Sequence, residues 1–383
     1  MTDEERSSKK SFTIIRIVIT LVFLAILAFI AFTFISGRGF NFDWFTNLLF
    51  PNEHREVADE LFFNVGRGRV FADLETSVAA AGSLGVQVLT YGGTEIFRES
   101  FTMNSPAISY INGHAIVFDI GGKEVRVIND RGIIASITKN GQIVSASINQ
   151  NGWFTVDSQE GEGYRGTTSV YDNEGRLVYR VNLSSGYILS SAISHDNNNL
   201  AVLNLTDYES KITFYNGLDK DYDDGSFKLS TGLILDIRFL ESGDLLAVTT
   251  DALIFIDPLV GSGWEVFSID SMRLGGYIIG SDFIVLHLLD FGIGHRGKLI
   301  LIDHFGNLYG EILTDRELIS MSLLKDSLAV MFSDGLILLD RSLNPLPLSY
   351  DSLSASGVSQ ILALEGGATL VAGDRFAIII HTP

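Results

Sequence analysis

Residues 282–313 read DFIVLHLLDFGIGHRGKLILIDHFGNLYGEIL. The order is an apolar strand, a loop, a second apolar strand ending on Asp303, a tight turn with Gly306, and a further strand. β-rich runs broken by Gly, Asn and Asp turns are the signature of an antiparallel all-β fold. Seven other places carry versions of this pattern. The apolar strand before the turn ends at Tyr91-Gly92, Asn129-Asp130, Tyr171-Asp172, Tyr215-Asn216, Ile256-Asp257, Ile302-Asp303, Leu339-Asp340 and Ile380-His381. The second members of these pairs are 38, 42, 44, 41, 46, 37 and 41 residues apart. That period fits a unit of four strands, the blade of a β-propeller.

The strand that precedes it in each unit recurs as HAIVFDI, GWFTVDS, NNLAVLNL, DLLAVTTD, DFIVLHLL, DSLAVMFS and GATLVAGD. These runs are apolar on both faces, so both faces need cover. A blade packed between two neighbours supplies that cover; a two-layer sandwich with one wet face does not. The last unit holds three strands, and residues 61–65, LFFNV, stand alone before the first. Pairing residues 61–65 with residues 376–382 closes the ring and removes two open edges. The expected fold is therefore an all-β, eight-bladed propeller closed by its N- and C-terminal strands. Seven blades is the alternative, should the Ala- and Gly-rich unit at residues 77–100 not form a blade.

Ahead of the repeats, residues 17–37 form a 21-residue run without a charge. As a helix it spans about 30 Å, the thickness of a bilayer core. Arg6, Lys9, Lys10 and Arg16 precede it and Arg38 alone follows closely, which sets the N-terminus on the cytoplasmic side. The sequence thus divides into a cytoplasmic tail (1–11), a transmembrane helix (12–37), a juxtamembrane linker (38–60) and a propeller (61–383). The expected location is the cell membrane, single-pass, with the propeller extracytoplasmic. Within the linker, Phe40, Phe42, Trp44, Phe45 and Phe50 suit a membrane interface.

Composition narrows the partners. The net charge is −19, which repels nucleic-acid phosphates and leaves basic proteins, cations and neutral polymers. Cysteine is absent, so disulfides and thiolate chemistry are excluded.

Few constellations point to chemistry. Asp219, Asp221 and Asp223 alternate in a turn as calcium ligands do, but Asp224 stands where the loop needs Gly and Ser230 where it needs Glu. They are the one metal candidate, and a weak one. His287, Asp290, His295 and His304 cluster in sequence without a metal-site spacing. Asp157, Asp172, Asp236, Asp257, Asp303 and Asp340 could supply a glycosidase pair. Four of them repeat at the strand end, however, where Asp binding the following amides explains them better. No catalytic residue and no cofactor is assigned. Three long loops between second and third strands (158–168, 205–211 and 289–298) offer Tyr164, Arg165, Tyr208, Phe291, His295 and Arg296 as anchors for a partner.

The stretches ISHDNNNLAVLN (193–204) and FLESGDLLAV (239–248) resemble the first hairpin of WD40-like and quinoprotein-like propellers. The whole layout is similar to an uncharacterised Gram-positive bacterial family of single-pass membrane proteins with an outward propeller. That family carries no assigned activity, so the resemblance implies a fold and a location and no catalytic residues. With three tryptophans in the chain, the recurrent Trp motifs of quinone-binding propellers are missing. The expected function is a non-catalytic interaction or scaffold module at the cell envelope, meeting an envelope protein or glycan. An envelope hydrolase or lyase and a ligand-sensing ectodomain are the alternatives.

Overall fold

The computed structural model describes residues 59–381, apart from 160–162, 207–208, 219–224, 230–231, 270, 293, 325–326 and 347–354. The expected tail and transmembrane helix, nearly all of the linker, Tyr208 and the calcium candidates Asp219, Asp221 and Asp223 lie outside the described residues.

Eight antiparallel sheets follow one another along the chain. Blades 1 to 6 span residues 70–100, 106–138, 142–183, 187–229, 234–268 and 272–314, with four strands each in sequence order. Blade 7 spans 318–340 with three strands among the described residues. There the backbone N–H of Leu346 donates to Leu338 O at 2.8 Å, where a fourth strand would pair. Blade 8 consists of Val358–Ala363, Ala368–Gly373, Ala377–His381 and, at its outer edge, Asp59–Glu60. The Ala- and Gly-rich first unit is a full blade: Val70–Asp73 supplies its inner strand. Eight blades, not seven, are built.

The closing strand falls two residues earlier than the sequence suggests. Asp59 pairs with Ile379 and Glu60 with Ile378, and Leu61 N–H adds a bond to Ala377 O at 2.8 Å. Beyond that bond, residues 61–65 belong to no strand. Leu61, Phe63 and Val65 are buried while Phe62 and Asn64 face out. Their alternation, which reads as a strand, instead plugs the junction of blades 8 and 1 as the chain crosses from the outer to the inner edge.

The core consists of eight apolar clusters, one at each junction between consecutive blades. Ile212, Phe214 and Leu203 of blade 4 meet Ile237, Leu245 and Ala247 of blade 5. Ile300 and Ile302 of blade 6 meet Leu246, Leu253 and Phe255 of blade 5. At the seam, Phe71 and Ala80 of blade 1 meet Leu362, Leu370 and Ile379 of blade 8. A second strand therefore packs one face on each neighbour, which explains why Phe283–Asp290 is buried along nearly its whole length.

The recurrent strand-end Asp has the expected local role. Asp303 Oδ1 accepts from Phe305 and Asn307 N–H at 2.9 and 2.8 Å. Asp340 repeats this with Ser342 and Asn344, both at 2.8 Å, and Asp172 with Glu174 and Arg176. The Asn344 amides, backbone first, hold the Asp340 carboxyl below its ordinary range. These side chains tie the turns between third and fourth strands.

Candidate functional site: the channel and the two loop faces

The first strands of all blades line a central channel. They are not hydrogen-bonded to one another as a sheet, so side chains bridge them. Gln360 of blade 8 accepts from Phe71 N–H and donates to Phe71 O, both at 2.9 Å. Ser320 and Ser322 accept from Ile361 and Ala363 N–H at 3.1 and 2.8 Å. Ser147 Oγ donates to Ser191 O at 2.7 Å, and Arg238 Nη1 to Ile279 O at 2.5 Å. The pairing register skips one residue early in six of these strands, for example between Ile234 and Asp236. Such bulges turn the polar side chains toward the ring axis and the next blade.

Two channel carboxylates, Asp73 and Asp236, stand on blades 1 and 5, opposite each other in the ring. They do not share a level. Asp73 pairs with Val78 and Asp236 with Val248, whose counterpart in blade 1 is Ala81. Three residues separate the levels, about 10 Å along the axis, to which the channel width adds. That spacing lies beyond the window of a glycosidase pair. Each carboxylate is occupied nearer home. Asp73 accepts from the Tyr91 hydroxyl at 2.7 Å. Burial pushes Asp73 up to about 6, the Tyr91 bond opposes this, and Glu365 and Glu75 add to it. Burial likewise raises Asp236, against the charge of Arg238 and a hydrogen bond from Tyr277. Tyr110, on the channel wall, is pushed up to about 12 by burial and then by Asp73.

A different polar group lies inside blade 3. Asp157, on the strand Phe154–Gln159, is fully buried. Its carboxylate accepts from Ser145 Oγ (2.7 Å), Thr168 Oγ1 (2.6 Å) and Ser191 Oγ (2.8 Å), the last from blade 4. Thr155, Ser158, Thr167 and Ser169 around it are buried too, and Lys139 Nζ reaches Ser169 Oγ at 2.8 Å. Here two blades meet through hydroxyls as well as apolar groups. The segment TVDS looks like any other second strand in sequence, and its neighbours TTS give the clue.

Of the anchors expected from the sequence, Tyr164, Arg165, Phe291, His295 and Arg296 sit on the face formed by the loops between second and third strands. The structure places them in two groups, three blades apart. Tyr164 and Arg165 precede the strand Gly166–Tyr171 of blade 3, where the Arg165 guanidinium lies 5.8 Å from the Tyr187 ring of blade 4. Tyr187 is itself half exposed and was not singled out in the sequence. Phe291, His295 and Arg296 belong to the loop of blade 6. Phe291 is 72% exposed, Arg296 Nε donates to Asp290 Oδ2 at 2.6 Å, and His295 Nε2 is 4.0 Å from Glu317. Beside this loop is a cavity of about 600 Å³ lined by Met272, Asp290, Arg296, Lys298, Glu311 and Asp315. Four of its charges are paired, Asp290 with Arg296 at 2.6 Å and Glu311 with Lys298 at 2.9 Å.

The three histidines do not converge. His287 is buried mid-strand and burial lowers its pKa. His295 lies on the loop face. The seven-residue strand Gly297–Asp303 then separates it from His304, whose ring contacts Gly280 O at 3.3 Å on the opposite face. Among the described residues no group of three His, Cys, Asp or Glu could hold a metal ion.

That opposite face carries a feature invisible in the sequence. The turns between third and fourth strands of blades 5 and 6 expose Leu259, Val260 and Phe305, and the outer strands behind them expose Trp264 and Leu308.

Eight antiparallel modules around a channel, seven of four strands and one of three among the described residues, define a β-propeller with the general build of WD40 domains. Three solved structures share this build and show the fold alone. The computationally designed protein Ika8 is 12% identical, covering 84% of this chain and 98% of its own, with a TM-score of 0.62. The C-terminal WD40 domain of Sif2 is 14% identical over 84% and 99%, with a TM-score of 0.58. BamB from Moraxella catarrhalis is 14% identical over 85% and 98%, with a TM-score of 0.53. No curated protein sequence matches the chain. Residues 59–262 match the model of a family of unknown function, DUF5711, and the chain belongs to that family.

Proposed function

We propose that this chain is a membrane-anchored, extracytoplasmic propeller that acts as a non-catalytic interaction module at the cell envelope. The observation carrying this reading is the contrast between channel and surface. Gln360, Ser320, Ser322, Ser147 and Arg238 of the channel strands reach across to neighbouring blades, and the carboxylates Asp73 and Asp236 stand at different levels. Aromatic and arginine side chains meanwhile project from loops fixed on a rigid ring, the setting favoured for binding hot spots. The 21-residue apolar run at 17–37 supports the anchor. A net charge of −19 favours a basic or neutral partner, an envelope protein or a glycan, over nucleic acid.

The test uses the full chain in intact cells. Tyr164, Arg165, Tyr208, Phe291, His295 and Arg296 are replaced together by Ser or Ala, and cross-linked partners are compared with those of the parent. Loss of a specific adduct at equal expression supports the reading. An unchanged adduct pattern removes the loop face from it.

A further inference from the structure

Where the ring closes, a cavity of about 690 Å³ opens on the loop face, within the range of roughly 300–1,000 Å³ usual for small-molecule sites. Arg69 and Val70 line it where the chain enters the inner strand of blade 1. Gly357 lines it just before the inner strand of blade 8. Asp374, Arg375 and Phe376 complete it from the turn between the second and third strands of that blade. The backbone N–H of Arg69 donates to Asp374 Oδ1 at 3.3 Å, which ties the two sides together. An added Cβ at Gly357 or Gly373 would lie 3.6 or 3.2 Å from Phe376 Cε1. These two bare positions let the Phe376 ring lie close to the backbone, and with Val70 it gives the cavity an apolar side.

The charge here runs against that of the chain. Net charge is −19, and other cations rest on carboxylates: Arg98, Arg126, Arg176 and Arg296 each lie within 2.7 Å of one. Arg375 is exposed and makes no hydrogen bond or ion pair among the described residues. Arg69 is held by the backbone instead. Its Nε donates to Gly66 O at 3.1 Å and its Nη2 to Phe63 O at 3.0 Å. A guanidinium has five N–H donors, so these two bonds leave the others open. The segment that crosses from the closing strand to blade 1 thus fixes the Arg69 head group without neutralising it. Among the described residues Asp374 is the one carboxylate lining the cavity, against two guanidinium groups.

We infer that this cavity binds a small ligand through a carboxylate or phosphate group. The planar donor forks of Arg69 and Arg375 take the anion, as guanidinium groups do by paired hydrogen bonds, and the body of the ligand lies against Phe376 and Val70. The site uses none of the six loop anchors, so it goes beyond the interaction-module reading and stands or falls separately from it.

The probes are glucose 6-phosphate and glucuronic acid, with glucose as the uncharged control. Each is titrated at millimolar concentrations into the purified full-length chain and followed by isothermal titration calorimetry. The expected result is saturable binding of at least one acidic sugar and none of glucose. Arg375→Ala should weaken it about tenfold or more. Asp374→Asn keeps an acceptor for the Arg69 N–H but removes the opposing charge, and should strengthen binding. Arg131→Ala, which removes an exposed arginine from a turn of the opposite face, should bind as the parent does. So should Tyr164→Ser with Phe291→Ser, which separates failure of this inference from failure of the loop-anchor reading. Preference for the sugar phosphate assigns a phosphate and preference for the uronate a carboxylate, and either supports the inference. It is overturned if neither acidic sugar binds, if glucose binds equally, or if Arg375→Ala changes nothing. Equal weakening by Arg131→Ala, or weakening by Asp374→Asn, overturns it too. Thermal melting of the variants, expected within a few degrees of the parent because the substituted side chains are exposed, confirms that folding is intact.

Discussion

Replacing Asp157 by Ala tests the idea that blades 3 and 4 are joined by a buried polar group. The carboxylate takes hydrogen bonds from Ser145, Thr168 and Ser191 and is fully buried. Removing it strands three hydroxyl donors in a dry interior. Each stranded group costs about 1–3 kcal/mol, less where a hydroxyl can rotate to another acceptor. A net loss of about 3–5 kcal/mol is expected, since breaking a buried network is among the mechanisms behind large mutational effects. Unfolding entropy of about 2.1 cal/mol/K per residue over roughly 320 residues converts this to a fall in Tm of about 4–7 °C. Differential scanning calorimetry reads it directly. Asp157→Asn keeps one acceptor oxygen and should lose less. The pH dependence gives a sharper check. Burial raises this carboxyl's pKa in the fold, so its contribution is complete below the unfolded value near 4 and declines as pH rises from there. The gap between parent and Asp157→Ala should therefore be widest in acid. A Tm within 2 °C of the parent, or a gap that widens with pH, would refute the reasoning.

Three further outcomes are expected. Asp73, raised to about 6, should make the fold progressively less stable between pH 4 and 6. Full burial would correspond to about 3 kcal/mol, which solvent at the channel mouth reduces to on the order of 1–2; Asp73→Asn should flatten that part of a stability-versus-pH curve measured by urea titration. Gln360→Ala removes both bonds to Phe71 across the seam and should cost about 2–3 kcal/mol in the same titration, with amide exchange rising first at Phe71 and Ile361. Gly297→Ala would place a Cβ 2.0 Å from Leu288 O, so blade 6 must distort, and a Tm loss of several degrees is expected where Gly292→Ala, in open space, leaves melting unchanged.

Parts of this molecule could be read from the sequence because one chemistry serves one geometry. Second strands are packed between neighbours on both faces, so they are predominantly apolar, with the Asp157 strand of blade 3 the main departure, and recur visibly. The Asp at the end of the third strand appears at 172, 257, 303 and 340 because each following turn needs the same amide acceptor. Inner strands were harder. QIVSASI and YILSSAI carry no clean alternation, since their hydroxyls bridge to neighbouring blades and a bulge shifts the period. The closing strand was misplaced by two residues: Asp59–Glu60 is short and charged, as an exposed edge can be, while LFFNV alternates for a packing reason. The candidate sites fared less evenly. Tyr164 with Arg165, and Phe291 with His295 and Arg296, fall on the expected loops, but as separate groups. The exposed apolar side chains Leu259, Trp264, Phe305 and Leu308 of blades 5 and 6 left no signal, because their exposure is set by how the hairpins pack in the ring.

The joining of Asp59 to Ile379 also has a kinetic meaning. Contacts within and between consecutive blades connect residues a few dozen positions apart, whereas this pairing spans most of the chain. Loop-closure entropy places such a step late, after local modules have condensed. Until residue 379 has left the ribosome, blade 8 cannot form and the flank of blade 1 stays bare. A growing chain would thus expose Phe71 and Ala80 for nearly the whole of synthesis, and the strand Asp59–Glu60 acts as the latch that ends their exposure.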